Sequence, residues 1–203
     1  MTNRTGRILV YTIAAIGLMC RLTVAQGDPE KTQDQGPMDT KTTTRVTLGS
    51  STGTPGTSVV VPIYFTPASG VALGHLTLHI AFVSANLKYG KLERGIAAEM
   101  GNVEFKTDLK PDKNDKGVET STLTIEASSP ESAKSVIPAG LLAYVNMKIS
   151  ENGRPAKIAL RASAEGAELG TGTPAKNVRS FDGQVEVFAP GTEPAVSCFF
   201  FSH

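Results

Sequence analysis

His75 and His79, two of the three histidines in this 203-residue chain, stand four residues apart in the stretch GHLTLHIAFVSANLKY. On a helix that spacing would put both imidazoles on one face and begin a metal site. On a strand it puts them on one face of a sheet, at ~7 Å per pleat repeat, too far to share one ion. The neighbouring residues decide between the two. Leu76, Leu78, Ile80 and Phe82 alternate with His75, Thr77, His79 and Ala81, which is the period of a half-buried strand. No Cys or Glu motif nearby completes a zinc set, so the histidines are expected on the outward face without a metal.

A second candidate is Asp112-Lys113-Asn114-Asp115-Lys116-Gly117, which imitates the start of a calcium loop. Asp112, Asn114 and Gly117 fit positions one, three and six of such a loop. Lys116 puts a cation where an oxygen ligand is required, and Leu123 replaces the bidentate glutamate at position twelve. The segment reads as a hairpin turn. Carboxylates at Glu93, Glu99, Glu104, Glu119, Glu126, Glu131, Glu165 and Glu168 are scattered over expected turns, and spacing alone leaves open that two converge as a glycosidase pair. No nucleophile elbow, P-loop or dinucleotide fingerprint is present. There is no tryptophan, which weakens a sugar-stacking reading. No catalytic residue, metal ligand or cofactor is therefore assigned.

The elements that would position these residues lie between two distinctive ends. Arg4 and Arg7 precede the apolar run Ile8–Cys20, and Thr23-Val24-Ala25 follows as a small-residue cleavage site. This is the layout of a secretory signal peptide over residues 1–25, with an uncleaved membrane anchor as the alternative. Residues 26–42 are polar and read as a flexible leader. After cleavage Cys198 would be the only cysteine, so no internal disulfide is available and the fold must rest on its apolar core. The formal charge is +1, with no basic run, which argues against nucleic acid as a partner. Residues 189–203 form a tail that carries Phe199, Phe200 and Phe201, an apolar cluster that would pack on the body, meet a partner or membrane, or fray.

Residues 43–188 read as strands. RVTL comes first, followed by turn residues Ser51–Gly56. In SVVVPIYFT, Val59, Val61, Ile63 and Phe65 share one face, and Pro62 requires an edge or a break because it cannot donate to a ladder. VEFKTD and VETSTLTIEA form a hairpin around KPDKNDKG. GLLAYVNMKIS puts Leu141, Ala143, Val145, Met147 and Ile149 on one face. Asn152-Gly153 turns into AKIALRA, and GQVEVF closes the series with Val185 and Val187 inward. Only IPAGLLAYV and Leu92–Met100 have helical character. About nine short strands indicate an all-β sandwich.

With the strands in place, four segments in order carry a family likeness: VTLGSSTGTPGTSVVVPIYF, GVALGHLTLHIAFVSANLKY, AGLLAYVNMKI and RSFDGQVEV. Residues 43–188 resemble a cohesin domain, the module that docks dockerin-bearing enzymes onto cellulosome scaffolds. The resemblance implies a nine-stranded β-sandwich of jelly-roll topology, related to some carbohydrate-binding modules. It also implies no catalytic residues, and a calcium that belongs to the dockerin partner. It places partner recognition on the outer sheet face that includes Gly74–Phe82, and so assigns His75, Thr77 and His79 to it, with Ser128 and Glu131 nearby. The family's Tyr-Asp-Pro corner is Phe82-Val83-Ser84 here, and the chain carries one such module without a dockerin repeat.

The leading expectation is a secreted, non-enzymatic interaction module that docks a dockerin-like or other extracellular protein and is linked to polysaccharide breakdown. A carbohydrate-binding module of the related fold, a structural envelope domain using Cys198–Phe201 as its contact, and an enzyme follow in that order.

Overall fold

Period-two alternation gives each strand one apolar face, and two such faces must be pressed together to leave water. The computed structural model describes residues 41–130 and 135–192, within the unit Met38–His203, and meets this need with two sheets. The signal segment, most of the leader and the Phe199–Phe201 cluster lie outside the described residues.

The elements run β1 (Thr44–Leu48), β2 (Ser50–Gly53), β3 (Ser58–Thr66), β4 (Leu73–Val83), β5 (Leu87–Arg94), α1 (Ile96–Met100) and β6 (Glu104–Lys113), then β7 (Glu119–Ser128), β8 (Gly140–Ile149), β9 (Ala156–Glu168), β10 (Val178–Phe181) and β11 (Gly183–Val187). One sheet has the order β10-β1-β3-β8-β5 and the other β2-β11-β9-β4-β7-β6. The expected all-β sandwich is thus observed. The eleven segments form nine passes of the chain, because β1 and β2 are joined through one residue and β10 and β11 through another.

Those two joints explain the proline. β3 is not an edge strand, since it pairs with β1 on one side and β8 on the other. Pro62 marks a break instead. Its carbonyl accepts from the Gly49 N–H at 2.8 Å, so its missing N–H faces the point where the first strand leaves this sheet for the other. Gly49 allows that departure: a Cβ there would lie 2.5 Å from Pro62 Cγ. At the matching joint, Asp182 anchors the last strand. Its Oδ1 accepts from the Ala162 N–H at 2.8 Å and its Oδ2 from Arg161 Nη1 at 3.1 Å.

The core sits between the sheets. Val46, Val61, Ile63, Phe65, Val145 and Met147 meet Leu76, Ile80, Leu123, Leu160 and Val185, all buried. Burying each such side chain contributes about 1.5–3 kcal/mol against chain entropy. Ala97 and Ala98 of α1 are also buried.

Several boundaries differ from the sequence reading. Leu92–Arg94 belongs to β5, so the helix is confined to Ile96–Met100, and GLLAYV is strand throughout. β6 continues through Lys113, which shrinks the hairpin turn to residues 114–118. β9 runs on to Glu168, and the short strands β2 and β10 went unread. Their four-residue pieces, SSTG and VRSF, carry too little alternation to announce themselves.

Candidate partner-binding face

The stretch around His75 is strand β4, in the interior of the six-stranded sheet. Leu76, Leu78, Ile80 and Phe82 are buried, while His75, Thr77, His79 and Ala81 are half-buried on the opposite face. Leu73 and Leu76 are both buried although their spacing is odd. A register shift between Leu73 and His75 against β9 resolves this, with Gly74 as the extra residue. His75 and Thr77, two residues apart beyond the bulge, share the outer face by ordinary alternation, and the bulge lets Leu73 turn inward before them.

Register then assembles the face. Across from His75, Thr77, His79 and Ala81 on β7 stand Ser128, Glu126, Thr124 and Thr122. On the β9 side the partners are Ala167, Glu165, Ser163 and Arg161. β6 adds Glu104, Lys106, Asp108 and Lys110 beyond β7. The outer surface is therefore a polar grid: histidine and hydroxyl side chains run down the centre, and carboxylates and cations flank them.

Two side-chain links order the centre. His79 Nδ1 and Thr124 Oγ1 are 3.0 Å apart, and His75 Nε2 and Thr77 Oγ1 are 3.2 Å apart. These contacts hold the rings against the sheet at modest net stability. Lys110 and Asp108 pair at 3.7 Å on the exposed β6, a contact worth little by itself. At the β4 end the surface is indented: a groove of about 400 Å³ is lined by His75, Thr77, Glu165, Pro174, Asn177 and Val178. His75 also borders a second depression, with Ser129, Glu168 and Leu169.

Of the residues expected at the site, His75, Thr77, His79 and Ser128 share this face, and Ser128 is the direct neighbour of His75. Glu131 lies outside the described residues. Thr122, Thr124 and Ser163 were not singled out by sequence reasoning, and Glu126 and Glu165, expected on turns, stand on strands β7 and β9. The alternation in TSTLTIEAS places the β7 residues outward, but only register shows which of them stand beside the histidines.

Neither metal candidate gains support. Among the described residues no group of three His, Cys, Asp or Glu side chains is placed to hold an ion. In the hairpin turn, Asn114 Oδ1 accepts from the Lys116 N–H at 3.0 Å and the Val118 N–H at 2.9 Å, so the oxygen serves the backbone. Among the described residues no helix is long and apolar enough to cross a membrane.

Solved structures share this arrangement of two sheets. The third ScaC cohesin of Acetivibrio cellulolyticus, determined in complex with the ScaB dockerin, aligns at TM-score 0.57 and 22% identity over 72% of this chain and 99% of its own. The seventh ScaB type I cohesin of Pseudobacteroides cellulosolvens aligns at 0.55 and 17%, over 79% of this chain and 99% of its own. A non-cellulosomal cohesin of the archaeon Archaeoglobus fulgidus aligns at 0.52 and 16%, over 72% and 91%. The domain has a cohesin fold. No family model matches the sequence, and no curated protein does. At these identities the likeness is one of architecture. In this cohesin-like domain the face built from β9, β4, β7 and β6 is largely polar, while the apolar halves of β4 and β7 are committed to the core.

Proposed function

We propose that the protein is a non-catalytic binding module that docks a protein partner on the outer face of β9-β4-β7-β6. The observation that carries this reading is the assembly of His75, Thr77, His79 and Ser128 into one ordered polar patch on a rigid four-strand surface. The cohesin fold supports it, because cohesins sharing the fold were solved with dockerins bound. Side chains held by a sheet lose little freedom on binding, which favours specific recognition. Hydroxyls, imidazoles and flanking charges suit a partner rich in hydrogen-bonding groups at the rim, with the groove beside His75 taking a projecting side chain.

The finer reading is that the partner is dockerin-like and extracellular, that an N-terminal signal peptide exports the chain, and that the pair serves polysaccharide breakdown. Neither a cofactor nor a resident metal takes part.

The test immobilises the full chain and measures capture of purified calcium-loaded dockerins and of a secreted-protein fraction. The His75→Ala/Thr77→Ala variant is expected to bind the captured partner at least about tenfold more weakly, a loss of about 1.4 kcal/mol. Its unfolding temperature should stay close to that of the parent. Equal binding by parent and variant would remove this face from recognition.

A further inference from the structure

The two outer faces of the sandwich differ in kind. On the five-stranded sheet, β3 turns Val60, Pro62 and Tyr64 outward, with Val60 43% and Tyr64 45% exposed. β8 sets Tyr144 opposite Pro62. A register shift between Ile63 and Tyr64 turns Leu141, expected inward from alternation, out of the core to stand opposite Tyr64. An apolar and aromatic strip thus crosses a face far from the histidines, where a soluble sheet would ordinarily carry polar groups.

The chain contains its own apolar complement. Phe199, Phe200 and Phe201 follow β11 in the sequence, and the described chain leading to them stops at Thr192, at the near end of the strip. The Phe188 N–H bonds the Gly53 carbonyl, and Gly53 stands against Thr57, Val59 and Ile149, where β3 begins. Thr192 folds back on Ala189 through its N–H and hydroxyl, so it remains at that end. From Thr192, seven residues reach Phe199 and nine reach Phe201, a span of up to ~23–30 Å when extended. The sheets are ~10 Å apart, and Val60 lies two residues into β3, or ~7 Å, beyond Ser58. The tether is long enough to bring the three phenylalanines over Val60 and Pro62, and near full extension over Tyr64.

We propose that the outer face of the five-stranded sheet is the docking site for the chain's own Phe199–Phe201 segment. The attachment keeps the segment at high effective concentration beside the strip, so modest apolar burial suffices to hold it. Docking there covers the aromatic strip and leaves the His75 face open. It is independent of whether that face binds a dockerin.

Cys198 adjoins the phenylalanines and supplies the test. In the full chain with Cys20→Ser, a nitroxide is attached to Cys198 and amide signals are recorded by NMR. Signals of Val60, Tyr64, Leu141 and Tyr144 should be lost, those of Thr77 and Thr124 retained, and the pattern unchanged on dilution. Val60→Asp, at an exposed position, should restore the lost signals, as should Phe199→Ser/Phe200→Ser/Phe201→Ser. Overturning results are no loss at the strip, loss at Thr77 and Thr124 instead, persistence of the loss in Val60→Asp, or disappearance on dilution, which would assign the strip to a second copy.

Discussion

His79 Nδ1 and Thr124 Oγ1 face each other at 3.0 Å across β4 and β7, although 45 residues separate them in the chain. The contact joins the centre of the proposed binding face to the strand beside it. Thr124→Val keeps the side-chain shape and removes the hydroxyl. It should cost no more than about 1 kcal/mol in chemical denaturation, yet weaken partner capture because the His79 ring loses its fixed orientation. Capture equal to the parent would show that the ring's position is irrelevant to binding.

Neighbouring positions on β4 should behave in opposite ways. Leu76 is 1% exposed and Ile80 likewise, while His75 is half-buried on the other face. Leu76→Ala or Ile80→Ala should destabilise by about 2–5 kcal/mol through lost transfer energy and a cavity. His75→Ala should stay within about 0.5 kcal/mol of the parent. Urea unfolding of the three variants checks the assignment of faces; similar values would contradict it.

Gly49 and Pro62 should be coupled. Gly49→Ala places a methyl 2.5 Å from Pro62 Cγ, and the overpacking should cost about 1–3 kcal/mol. Pro62→Ala removes the ring atoms involved, so the double variant should be more stable than the sum of the single effects predicts. Additive losses in a double-mutant cycle would place the cost of the alanine elsewhere.

Glu93, at the edge of the five-stranded sheet, has its carboxyl held below the usual carboxylate range, first by the Lys91 side chain and then by Asn146. Its folded pKa is therefore below the unfolded value of 4.5. The stability this contributes is present above that value and is lost as pH falls through the folded pKa. The group is exposed, so the effect is small. In NMR titration the Glu93 midpoint should rise when Lys91 becomes Ala, and an unmoved midpoint would mean that the ion pair does not form in solution.

Calcium should leave the isolated protein unchanged. Asn114 Oδ1 is already occupied by two backbone donors. Thermal unfolding with added calcium or with chelator should give the same midpoint, and a clear rise with calcium would restore the loop as an ion site.

Much of this was legible from alternation. Leu76, Leu78, Ile80 and Phe82 separated themselves from the histidines by period alone, and Val59, Val61, Ile63 and Phe65 did the same on β3. Other features depend on long-range pairing and leave no local trace. Pro62 signalled a break, but its meaning lies in Gly49, thirteen residues earlier, where the neighbouring strand changes sheets. Gly74 looked like a strand residue and proved to be the bulge that lets both Leu73 and Leu76 face the core. Thr124 and Glu165 became part of the site only through register with β4. Four-residue strands escaped because SSTG has no apolar residue and the two of VRSF cannot establish a period.

The bent first and last strands have a mechanical consequence. β1 lies parallel to β10 in one sheet, and β2 lies parallel to β11 in the other. A pull on the two ends of the domain would enter at the start of β1 and leave at the end of β11, in opposite directions along neighbouring parallel strands. Such a load shears both ladders, so their hydrogen bonds share the force together instead of opening one after another. A domain built this way should resist a pull on its two ends more strongly than one whose terminal strands can be peeled apart.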